Sequence, residues 1–210
     1  MITPFLLLSL FAQAPNAAPT GEYVEARTAS VFAGACHYNG EYTTQGRRLV
    51  AGWSLESGVE AGVDLSGIQI VALVECDENL AETSAPRRSI VHVDATGLRA
   101  DAALAWLGRE HSATLGVTRT VHTGADLAVD VDGDAFGLRA QGTVALSGDA
   151  LADRACCKMP FNVWYEPAQP LQIRLVGCPE TFRIDERDFG WNLDRAGDNN
   201  AFFGSFGTPE

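Results

Sequence analysis

Soft metal ligands are concentrated in two short stretches of the chain. Cys36-His37 lies within Phe32-Ala33-Gly34-Ala35-Cys36-His37-Tyr38-Asn39-Gly40-Glu41, and Cys156-Cys157-Lys158-Met159 lies far downstream. Thiolate, thioether and imidazole together form the ligand set that selects Cu(I), with Zn²⁺ second. Neighbouring Cys156 and Cys157 cannot bridge to each other without strain. They offer two sulfurs to one ion, or one of them a disulfide to Cys36. The expected metal set is Cys36, His37, Cys156, Cys157 and Met159, with no organic cofactor. Lys158, beside the cysteine pair, favours the thiolate form where these groups converge.

Two other readings use the same residues. In the structural one, Cys36 closes a disulfide with one member of the pair and the other is buried. In the catalytic one, Cys36 is a nucleophile or redox thiol, His37 or His122 is its base, and Glu25, Asn39 or Glu41 orients that base. Adjacent residues of an extended strand point to opposite faces, which makes His37 a poor base for Cys36. No nucleophile motif is recognisable, so enzymatic activity stays open.

Other clusters have plainer explanations. Asp130-Val131-Asp132-Gly133-Asp134 resembles the start of a calcium loop, but Ala135 replaces the required glycine and Gln141 the twelfth-position Glu. A hairpin accounts for the same residues. Asp185, Glu186, Asp188 and Asp194, mixed with Arg183, Arg187 and Arg195, read as a solvated face with weak ion pairs. Cys76 and Cys178 end apolar runs and read as small hydrophobes at strand ends, with mutual pairing open. His92, inside an apolar run, reads as a sheet histidine bonded to a backbone carbonyl.

The elements that position these groups follow from periodicity. Strands are expected at Tyr23-Val24-Glu25-Ala26, at Ser30-Val31-Phe32 before Gly34, and over 49–55, 89–94, 143–146, 162–166 and 171–176. Residues 68–74 are almost continuously apolar and β-branched, which predicts a strand buried on both faces. Leu127, Val129 and Val131 alternate, Asp132-Gly133 turns, and Phe136 and Leu138 resume the alternation, which predicts a hairpin. Residues 15–21 and 58–63 read as connections. One helix is expected over about 98–111, with Leu104, Leu107 and His111 on one face and Thr96 or Asp94 as its cap. The aromatic tail from Phe182 to Phe206 should pack onto the body. Together these predict a strand-dominated α+β domain, a mostly antiparallel sheet or sandwich with the helix on one face.

The chain has 210 residues, 46% hydrophobic and 20% charged, with a formal net charge of −12. That is enough for one core-bearing domain, and its surface repels nucleic acid and anionic lipid. Phe5-Leu6-Leu7-Leu8-Ser9-Leu10-Phe11-Ala12 reads as the apolar core of a signal peptide over 1–19, too short to span a bilayer, which predicts a periplasmic or secreted protein. The mature domain would be 20–210. The expected partner is a metal ion or another protein. Five cysteines are an odd number, so in an oxidising compartment at least one stays free, binds metal or pairs between chains.

Gly21-Glu22-Tyr23-Val24-Glu25-Ala26, Cys36-His37-Tyr38-Asn39-Gly40-Glu41, Gly62-Val63-Asp64-Leu65-Ser66-Gly67 and Val91-His92-Val93-Asp94 together resemble the bacterial domain-of-unknown-function family DUF1326. The resemblance covers about residues 20–145, leaving 146–210 as an extension that carries Cys156-Cys157-Lys158-Met159. Many members of that family carry several cysteines in the first segment, which implies metal or redox use. Here no cysteine precedes Cys36, and the resemblance therefore directs the search for further ligands to Cys156 and Cys157.

Overall fold

The structure, a computed structural model, describes residues 16–32, 46–155, 158–159 and 163–207. The elements are β1 (Ala17–Arg27), β2 (Arg48–Glu60), β3 (Val63–Asp64), β4 (Gln69–Cys76), β5 (Arg87–Val93), α1 (Gly97–Glu110) and α2 (Ser112–Leu115). They continue with β6 (Val117–Thr123), β7 (Leu127–Asp132), β8 (Ala135–Ala140), β9 (Val144–Ala150), β10 (Leu175–Glu186), β11 (Trp191–Arg195) and β12 (Ala201–Phe206). The strands form one sheet in the order β6-β5-β4-β2-β1-β12-β10-β9-β8-β7, with β11 on β10 and β3 on β2. The pairs are antiparallel except β5–β6, which are parallel and joined through the two helices. A parallel pair needs such a crossover.

The sheet curls on itself. The last strand in its order, β7, packs across β1, β2 and β4. Its edge amides are taken up by side chains from those strands: Val129 N–H donates to Gln69 Oε1 at 2.9 Å and Val131 N–H to Glu22 Oε2 at 3.0 Å. This covers an edge that would otherwise invite pairing with another chain. Gly52 on β2 permits the close approach, since a Cβ there would stand 2.6 Å from Leu138 Cδ1.

Strand alternation sorts the interior into two cores. Val24, Ala26, Val50, Val71 and Leu73 face inward onto Val129, Leu138, Phe182, Trp191 and Phe203. Their neighbours Tyr23, Ala51, Trp53, Ile70 and Val91 face the other way, in a cluster with Ala100, Ala103, Trp106 and Leu107 of α1. Each large apolar side chain buried this way contributes about 1.5–3 kcal/mol. The middle of β4, Ile70 to Val74, is buried on both faces, as its continuous apolar run predicts.

The β7–β8 hairpin has the expected register, with Asp132 opposite Ala135 and Gly133 at φ 61°. Glycine is required there, at the first central position of a II′ turn. The tail also packs as expected: Phe182, Trp191, Phe202, Phe203 and Phe206 are buried.

Several expectations are corrected. Residues 15–21 are not a linker throughout, because β1 begins at Ala17, which pairs with Val59 of a longer β2. Cleavage after residue 19 would remove the first three residues of that strand. Residues 58–63 are not one connection: β2 runs to Glu60, and the turn is Ala61-Gly62, both at positive φ. Phe32 and Val163 form a single bridge rather than strands, and residues 164–170, carrying Pro167 and Pro170, have no ladder. The alternation over 171–176 becomes strand only from Leu175, where the continuous ladder with β12 begins. Thr96 occupies the N-cap of α1 without a side-chain bond, and Asp94 instead accepts from Gln69 N–H at 3.0 Å.

Candidate functional site

Of the expected ligands, Cys36, His37, Cys156 and Cys157 lie outside the described residues, as do Asn39 and Glu41. Met159 is described and is 42% exposed. The backbone that leads into the first soft stretch and the backbone that leaves the second are brought together. Phe32 forms an antiparallel bridge with Val163, and Trp164 N–H donates to Val31 C=O at 2.8 Å. Val31 and Tyr165 join Ala29, Val176 and Phe202 in a small core that holds this junction. Phe32 stands four residues before Cys36, and Val163 six after Cys157. Cys76 and Cys178 are free thiols rather than a pair, one at the end of β4 and the other within β10. Burial, then the charges of Asp198 and Glu180, push the Cys178 thiol pKa up, which suppresses thiolate.

Glu25, expected to orient a base, is instead the centre of a buried network. Tyr23, Glu25 and Arg27 alternate along β1 and so share one face. Glu25 is fully buried. Its Oε2 accepts from the Tyr23 hydroxyl at 2.6 Å and from Ala168 N–H at 2.7 Å, and its Oε1 from Arg27 Nε at 2.8 Å. Arg27 also donates to the Glu166 carbonyl at 2.7 Å and lies over the Tyr165 ring, 4.7 Å from its centroid. Burial, then the adjacent Glu25 charge, push the Tyr23 pKa well above its ordinary value. The network thus pins the strandless segment 164–169 to the sheet, replacing a ladder with charge-assisted bonds.

His111 closes the same side of the molecule. Its ring lies 5.0 Å from Trp53 and 5.5 Å edge-on from Trp106, beside a cavity of about 690 Å³. Trp53 Nε1 donates to Gln169 Oε1 at 3.2 Å. Burial lowers the His111 pKa, against opposing contributions from Glu110, Gln169 and the Ala168 backbone.

A second concave site opens on the inner side of the sheet, where the curl leaves a gap between the β5–β6 edge and the turns of the other half. Val91 and Val93 belong to the helix-side core, so alternation turns His92 inward. Parallel register places it opposite His122, and the two rings stack 4.6 Å apart at 24°. The cleft has a volume of about 520 Å³, and Asp126, Asp185, Glu186 and Asp188 also line it. His92 is 8% exposed, and its Nε2 has no hydrogen-bond partner. That nitrogen makes none of the backbone-carbonyl bonding expected of a sheet histidine. Of the residues expected to form a solvated face, Arg183 and Asp194 pair there in the open at 3.2 Å, whereas Asp185, Glu186, Arg187 and Asp188 form a wall of this cleft. Thr120 Oγ1 donates across it to Asp188 Oδ2 at 3.4 Å. Among the described residues, no three of His, Cys, Asp and Glu are grouped so as to hold a metal ion. No described helix is long and apolar enough to cross a membrane.

No family model matches the chain, and no curated protein does. Among solved structures, an acetoacetate decarboxylase from Legionella pneumophila subsp. pneumophila str. Philadelphia 1 aligns over 98% of this chain and 88% of its own, at 8% identity and a TM-score of 0.40. A likeness that loose carries no argument about what the chain does.

Proposed function

We propose that the chain is an exported protein that holds a soft metal ion, most favourably Cu(I), through Cys36, Cys156 and Cys157, with His37 or Met159 completing the set. The observation that supports this is the bridge between Phe32 and Val163. Neighbouring strands lie about 4.8 Å apart. Four residues of chain reach at most about 14 Å and six at most about 21 Å. The thiols on either side of the bridge are therefore within covalent reach of a common point. A shared ion needs roughly 2.3 Å from each sulfur. Two ligand groups far apart in sequence are a weak signal by themselves, and the junction removes the main objection to joining them.

The test is the copper content of the full chain, reduced, loaded with Cu(I) and desalted. One equivalent is expected for the native sequence, and substoichiometric copper for a Cys156→Ser, Cys157→Ser variant. Equal copper in the two proteins would falsify the assignment.

A further inference from the structure

We propose that the cleft holding His92 and His122 is a seat for a borderline divalent transition ion, of the Zn²⁺, Co²⁺ or Ni²⁺ kind, held by the two imidazoles. The proposal does not rest on the cysteine stretches.

Three observations converge on it. First, the two histidines are register partners on adjacent strands with their rings stacked, so both can address one point on the same side of the sheet. Imidazole nitrogens bind such ions at about 2.0–2.1 Å. His122 is exposed on the edge strand β6 and can turn about χ2 to direct a nitrogen at an ion on His92. Second, His92 Nε2 is buried without a partner. Leaving a buried polar atom unmatched is unfavourable, and a coordinated ion offsets that cost. Third, the wall is acidic. Asp185, Glu186 and Asp188 line the cleft, with Arg187 the one basic residue among its lining groups. Asp126 is engaged by Arg139 at 2.9 Å, and Glu186 Oε1 accepts Asp188 N–H at 3.0 Å. The field favours a cation, while water rather than a third side chain would complete the coordination.

The protonation state agrees. Burial, then the neighbouring His122, push the His92 pKa down to about 4. The ring is neutral near pH 7, which is the form that ligates metal. The chemistry also separates this ion from Cu(I): imidazole with oxygen suits borderline divalent ions, and thiolate suits the soft monovalent one.

The experiment is a Co²⁺ titration of the full chain, read by visible absorption. Imidazole and water ligands give ligand-field bands without the thiolate-to-cobalt charge-transfer band that cysteine ligation produces. The expected result, in the Cys156→Ser, Cys157→Ser variant that lacks the thiolate pair, is one Co²⁺ bound per chain without that band. His122→Asn, an exposed change whose fold is checked by circular dichroism, should weaken this binding at least about tenfold, since loss of even an outer-shell partner costs 10–100-fold. Unchanged affinity in His122→Asn overturns the proposal. So does Co²⁺ binding that appears only with the charge-transfer band, or no binding up to about 1 mM.

Discussion

Two buried polar groups lie on opposite faces of the same sheet, and they are built differently. Around Glu25, both carboxylate oxygens are matched by donors from Tyr23, Arg27 and Ala168. Around His92, a ring nitrogen is buried without a partner while the side chain still lines an open cleft. The first arrangement behaves as structure, because its bonds tie a strandless segment to β1 and engage both oxygens within the fold. The second retains unused capacity beside accessible space. Burial of a titratable group therefore does not mark a site by itself; an unmet hydrogen-bonding demand next to a cleft does.

This contrast can be broken by mutation. The largest effect is expected for Glu25→Ala, which strands the Arg27 guanidinium, 5% exposed, and removes the acceptor of two other groups. Breaking a buried ion pair from one side costs about 3–5 kcal/mol. Urea denaturation should show a loss of that size, and a loss below about 1 kcal/mol would mean that the network does not hold the 164–169 segment. His92→Leu should go the other way, because it replaces an unmatched polar group with an apolar one. A stability change between zero and a gain of about 1 kcal/mol is expected, and a clear loss would show that the imidazole has a structural partner.

The contrast also predicts a pH dependence. The folded-state pKa of His92, about 4, lies below its ordinary 6.5. Between these values the unfolded chain binds the proton and the folded chain does not. Stability is therefore full above about pH 6.5 and declines as pH falls towards 4. His111, also lowered by burial, acts in the same direction. The slope over this window should be shallower in His92→Leu than in the native chain. Identical slopes would remove His92 from the titration.

How much was legible depended on whether a feature is local. The buried strand β4, the hairpin at Gly133 and the helix over 97–110 follow from periodicity and turn chemistry within a dozen residues. The 171–174 stretch alternates as well as any strand, but it makes a single backbone bond to β12, Gln172 N–H to Ser205 C=O at 2.9 Å, and the continuous ladder begins only at Leu175. Glu25 could be named from the sequence as a residue of interest. Its role could not, because two of its contacts, Ala168 and the Arg27 that reaches Glu166, involve a segment far along the chain. The sequence offers His122, with His37, as a base for Cys36, and the structural neighbour of His122 is His92.

Alternation and composition determined which side chains point into the sheet, the strand-rich class and the two stretches of soft ligands, since these depend on near neighbours along the chain. The tertiary structure alone decided which polar groups meet. Period-two alternation assigns a residue to a face but does not choose the strand beside it. That choice was made by the curl that lays β7 over β1, β2 and β4, by the crossover that sets His122 against His92, and by the bridge that joins Phe32 to Val163.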